Sequence, residues 1–198
     1  PIASVFLRRR MVPRMAFAGA NPTNRPHLEA SWHRTVEILE AHLSNRPYLF
    51  GGRPAFGDFG IWGQVHQAST DVTAGGHLRE SAPAVLRWVD RMSEPVAEGE
   101  FEPLDALLPT LSPLLEEQIA GRFLPWSVAN AKAYAAAEPQ TCLEFDGELY
   151  EQKTFKYHAW SLGQLREKLK PVASDPALRS VLEETGCAAY LDLDLPVP

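Results

Sequence analysis

Residues 46–67 read Arg-Pro-Tyr-Leu-Phe-Gly-Gly-Arg-Pro-Ala-Phe-Gly-Asp-Phe-Gly-Ile-Trp-Gly-Gln-Val-His-Gln, an order that leaves few conformations open. Gly51, Gly52 and Pro54 can continue neither a helix nor a strand, so a turn must fall there. With Ala55 as N-cap, Asp58 takes the third helical position. Its carboxylate can then accept the free amide of the cap residue and face the positive end of the helix dipole. Pro54 and Phe59 occupy the two positions of a hydrophobic staple. Ala55 has no side-chain oxygen, so half of the capping box is missing, at a cost of about 1 kcal/mol. Ala55, Asp58, Pro54 and Phe59 thus read as a structural helix cap.

Past the cap, Gly57, Gly60 and Gly63 recur among Phe56, Phe59, Ile61, Trp62 and Val65. Each glycine inside a helix costs about 1 kcal/mol against alanine. Closely approaching neighbours would offset that cost, so this helix is expected to be buried nearly all round, with His66 buried near its end.

The turn and helix resemble the start of the central helix in the helical domain of cytosolic glutathione transferases. There a Leu-Phe-Gly-x-x-Pro turn (here Leu49-Phe50-Gly51 to Pro54) precedes a Ser/Thr-x-x-Asp box (here Ala55 to Asp58). The resemblance covers residues 5–120. It implies a mainly α bundle of the glutathione transferase C-terminal type, glutathione as co-substrate of the parent protein, a small-molecule electrophile as partner, and a homodimer. It carries no catalytic residue over. The family holds glutathione on a preceding thioredoxin-like domain, and this chain shows no early strand, no βαβ pattern and no thiol-activating motif. The chain opens on Pro1 rather than methionine and reads as part of a longer protein. By position alone, Phe6, Arg10, Met11 and Met15 are expected on the acceptor-pocket wall.

Composition narrows the partners. A formal charge of −6 argues against nucleic acid, and no apolar run approaches the ~20 residues needed to cross a bilayer. Cys142 and Cys187 lie outside any CxxC pattern, which suits a reducing cytoplasm and excludes a cysteine zinc site. No GxSxG, P-loop, GxGxxG or HExxH motif occurs. Glu29, His33 and Glu37 share one face of a helix at possible metal-ligand spacing, but read as polar surface. No metal is expected.

Apolar spacing predicts helices over 27–44 and 83–92, then an exposed acidic connector through Glu94, Glu98, Glu100, Glu102 and Asp105. Two short helices are expected over 104–119, with Ser112-Pro113 starting the second. Residues 121–198 read as a separate α+β appendage. It begins with an alanine-rich helix over 129–137. A β-hairpin turning at Asp146-Gly147 follows, with a second strand running towards Tyr157. Helices over 161–170 and 174–185 close it, the last capped by Ser174. This tail resembles the extension of a bacterial glutathione-transferase-like subgroup through Asn130-Ala-Lys-Ala133 and Thr185-Gly-Cys187. Two functions follow. The chain is the acceptor-substrate half of an enzyme that conjugates or reduces electrophiles, inactive alone; or it is a non-catalytic ligand- or protein-binding module on the same fold.

Overall fold

The computed structural model describes Arg9 and residues 14–191, which are mainly helical with one two-stranded hairpin. They form two compact units. One is Trp32–Leu114, and the other combines the described residues up to Ser31 with those from Leu115 onward.

The first unit takes most of α1 (Arg25–Leu43), then α2 (Phe56–Thr70), α3 (Val72–Ser81), α4 (Pro83–Ser93) and α5 (Leu104–Pro113). Its core joins Val36, Leu39 and Leu43 of α1 to Leu78 of α3 and to Val85, Trp88, Val89 and Met92 of α4. Pro83 stands at the first turn of α4, where its missing amide costs nothing. Glu40 completes that start, its carboxylate accepting the Ala84 and Val85 amides at 2.8 and 3.0 Å. The Asp71 carboxylate does the same for α3, accepting from Thr73 and Ala74. A second cluster seats Leu107, Leu111 and Leu114 on Ile38.

Helix α2 departs from the expectation of near-complete burial. Only Asp58 and Val65 are buried on it, while Phe56 is 89% and Phe59 50% exposed. One flank touches the core through Val65, Ile61 and Trp62. A Cβ placed on Gly60 or Gly63 would meet nothing within 4 Å, so no described neighbour needs these glycines. Gly57 differs, because a Cβ there would come 2.9 Å from the Phe50 ring.

Two short helices at 104–119 also need correcting. Pro109 and Pro113 both lie inside α5, and Ser112 starts no new helix. Pro113 has no amide to bond the carbonyl four residues back, and from Leu114 to Phe123 the backbone adopts the wider π pattern.

In the second unit, α6 (Leu124–Ala135) starts earlier than its alanine-rich stretch. Strands β1 (Gln140–Phe145) and β2 (Glu148–Lys153) pair antiparallel, with Phe145 opposite Glu148. Asp146 and Gly147 both have positive φ, 55° and 81°, as a type I′ turn requires. The second strand stops at Lys153, and α7 (Lys156–Leu169) begins where Tyr157 was expected to be extended. Helix α8 (Pro176–Glu184) is capped by Asp175 rather than Ser174, because Asp175 directly precedes Pro176 at the first turn. The Asp175 carboxylate accepts the Ala177 and Leu178 amides at 2.9 and 3.0 Å. A short α9 (Ala188–Leu191) follows. No described helix is long and apolar enough to cross a membrane.

Candidate functional site

The densest polar arrangement of the first unit surrounds Leu49, at the turn before α2. Asp58 is fully buried, and three neutral donors converge on its carboxylate. Oδ2 accepts the Ala55 amide at 2.9 Å. Oδ1 accepts the Leu49 amide at 2.9 Å and the Trp88 indole N–H at 3.0 Å. The other side of Leu49 is held by His42, also fully buried. Its Nε2 lies 2.7 Å from the Leu49 carbonyl. A carbonyl only accepts, so Nε2 carries the proton, and Nδ1 is left to accept the Thr110 hydroxyl at 2.7 Å. Burial holds the His42 imidazole below its ordinary pKa, and the Leu49 carbonyl opposes that shift. Both polar ends of one residue are therefore gripped, the amide by an acid and the carbonyl by a neutral base.

The turn is clamped from a second direction. Arg46 donates from Nε to Glu102 at 2.8 Å, from Nη1 to Thr110 at 3.1 Å and from Nη2 to the Ala106 carbonyl at 2.7 Å. The Gly52 amide bonds the Glu100 carbonyl, and the Glu102 amide bonds the Phe50 carbonyl. This close approach explains the glycines. A Cβ on Gly99 would sit 2.5 Å from Gly52, and one on Gly51, at φ 121°, would sit 2.7 Å from the Glu102 amide. The acidic connector is thus tied by its backbone to the turn. This cluster fixes a loop: the Asp58 carboxylate accepts three hydrogen bonds, and the Arg46 guanidinium is held by Glu102, Thr110 and the Ala106 carbonyl.

Two concavities accompany these elements. One, of about 260 Å³ in the first unit, is lined by Ser44, Asn45, Arg46, Pro47, Arg87 and Arg91 among others. The other, of about 480 Å³ in the second unit, is lined by residues including Ala16, Phe17, Asn21, Pro139, Gln152 and Lys153. The Lys153 ammonium lies 5.6 Å from the centre of the Phe17 ring, on the wall of this larger cavity.

Residues 22–91, which run from just before α1 into α4 and centre on the Asp58 cap, match the family model described as glutathione S-transferase, C-terminal domain. They form a glutathione S-transferase C-terminal domain. No curated protein and no solved structure matches the chain in the corresponding comparisons. The matched segment of this glutathione S-transferase C-terminal domain stops within α4, ahead of the connector, the hairpin and α6 to α9.

The predicted residues fall in several places. Ala55 is the N-cap of α2 with no side-chain cap bond, and Asp58 supplies the carboxylate half of the box. Pro54 is half-buried at the turn. Of the acceptor-wall residues, Phe6, Arg10 and Met11 lie outside the described residues. Met15 is 56% exposed, and the chain neighbours following it, Ala16 and Phe17, line the larger cavity. His66 is exposed, against expectation, because α2 leaves that face uncovered. Its ring lies 5.0 Å from that of Trp62.

Sequence reading missed the buried polar residues that hold loops in place. His42 was one. Asn24 and Asn130 are two more, each gripping both backbone polar groups of one residue. Asn24 donates to the Glu151 carbonyl at 2.7 Å and accepts the Glu151 amide at 2.9 Å. Asn130 pairs in the same way with Phe155, at 2.9 Å in both directions. For Asn130 a local signal existed, since a polar residue on the apolar face of an alanine-rich helix needs a buried partner. For Asn24, in a loop of turn-forming residues, none did.

Proposed function

We propose that this chain is the acceptor-substrate half of a glutathione transferase-like enzyme of the cytoplasm, acting as a homodimer on small electrophiles. The family match over residues 22–91 carries this reading. The Asp58 cap and the clamp on Leu49 give the helical half a rigid turn from which α2 projects. The wall formed by Phe6, Arg10, Met11 and Met15 is proposed to receive the electrophile. Glutathione is supplied by a thioredoxin-like half in the parent protein. In this reading the chain belongs to a bacterial subgroup with a C-terminal extension, which the hairpin β1–β2 and the closing helices α7 to α9 support.

The test uses the purified chain with 1-chloro-2,4-dinitrobenzene, with and without glutathione. Saturable quenching of tryptophan fluorescence by the electrophile, without turnover, is the expected result. Turnover by the chain alone would refute the assignment of glutathione chemistry to another domain. An absence of saturable binding would refute the acceptor-site assignment and leave the protein-binding module as the working function.

A further inference from the structure

On one surface of the first unit, His33 of α1 faces His77 of α3. His33 Nδ1 and His77 Nε2 are 3.0 Å apart, with ring centroids 4.3 Å apart and the planes at 85°. We propose that these two imidazoles form a binding site for a divalent transition ion that favours tetragonal coordination, Ni²⁺ or Cu²⁺.

The geometry carries the proposal. An ion about 2.1 Å from each nitrogen, with those nitrogens 3.0 Å apart, subtends an angle of about 90°. That is a cis pair of a square-planar or octahedral shell, and a tetrahedral ion needs a wider separation. Imidazole nitrogens in tetragonal geometry suit Cu²⁺ and Ni²⁺. The ring of His77 is also set for this role. Its Nδ1 is buried without a hydrogen-bond partner, and its Nε2 shares a hydrogen bond with His33 Nδ1, the contact that an entering ion would replace. Trp32 lies against the same ring, with centroids 6.4 Å apart. Helix α3 fixes the backbone beneath it, because Leu78, the next residue, is fully buried in the core.

The acids of α1 do not complete a protein cage. Glu29 is bonded to Arg25 at 2.7 Å and Glu37 to Arg34 at 3.1 Å. No group of three or more ligating side chains is arranged to hold a metal among the described residues. The remaining positions go to water, and the ion bridges α1 to α3 through two nitrogens. The pairing thus runs between helices, and not along the Glu29, His33 and Glu37 face of one helix, which reads as polar surface.

The experiment is calorimetric titration of the tag-free, chelator-treated chain with NiCl₂. One Ni²⁺ per chain is expected, bound at least tenfold more weakly by both His33→Gln and His77→Gln and unchanged in His66→Gln. The order Cu²⁺ over Ni²⁺ over Co²⁺ should hold, and the Cu²⁺ form should show two nitrogen ligands by electron paramagnetic resonance. Circular dichroism checks that each variant folds. An affinity unaffected by either substitution, or lowered by only one, would overturn the two-imidazole site. Absence of binding to the folded wild-type chain would do the same.

Discussion

Asp58 shows how one buried acid can organise a turn. Its carboxylate serves three donors from residues 49, 55 and 88, and the Leu49 amide and Trp88 indole would otherwise be buried unpaired. Asp58→Asn keeps the shape but replaces one acceptor oxygen with an amide that faces donors. It should cost about 3 kcal/mol, the range of a lost charge-assisted bond plus an unpaired buried group. Ala55 offers the opposite change. Its φ of −119° and ψ of 173° are those of an N-cap that lacks only the oxygen. Ala55→Ser should add about 1 kcal/mol. Urea unfolding midpoints at constant slope measure both. Similar stability in Asp58→Asn and wild type would remove Asp58 from its central place.

At the scale of the element, the glycines of the chain divide by what surrounds them. Gly60 and Gly63 in α2 face open space, so Gly60→Ala and Gly63→Ala should each stabilise the helix by up to about 1 kcal/mol. Gly99→Ala should destabilise by more than about 2 kcal/mol, because its methyl group would meet the Gly52 backbone at 2.5 Å. Thermal unfolding of the three variants should therefore shift in opposite directions. A loss of stability in Gly60→Ala would mean that α2 is covered in solution. Within elements, much was legible in the sequence. The 83–92 helix, the Asp146-Gly147 turn and the start of α2 follow from residues a few positions apart. The burial of α2 was misjudged because glycine content reports the possibility of a close neighbour and not its presence.

At the scale of the whole molecule, acid stability gathers contributions from both units. His42 in the first unit and His158 in the second are each held below the ordinary histidine pKa of 6.5, chiefly by burial. For His42 the nearby Arg46 charge acts in the same direction, while Glu102 and Asp58 oppose it. A folded pKa below the unfolded one means that the unfolded chain takes up the proton first. Stability is then full above about pH 6.5 and falls as pH drops from there towards the folded pKa values. Unfolding midpoints measured from pH 7.5 to 5 should decline. His42→Gln should be less stable throughout, but with a shallower decline. An unchanged slope in that variant would mean that His42 does not titrate in this window.

The sequence by itself determined the helical class, the hairpin, the capped turn at Asp58 and the likeness to a glutathione transferase helical domain. Each rests on side-chain period, turn chemistry or a motif that spans a few neighbouring residues. Only the tertiary structure decided that Trp88 and Leu49 share one carboxylate with Ala55 and that Gly99 must clear Gly52. It also decided that His42 rather than His66 is buried and that His33 meets His77. Those outcomes depend on contacts between residues tens of positions apart, and no local pattern encodes which distant partner arrives.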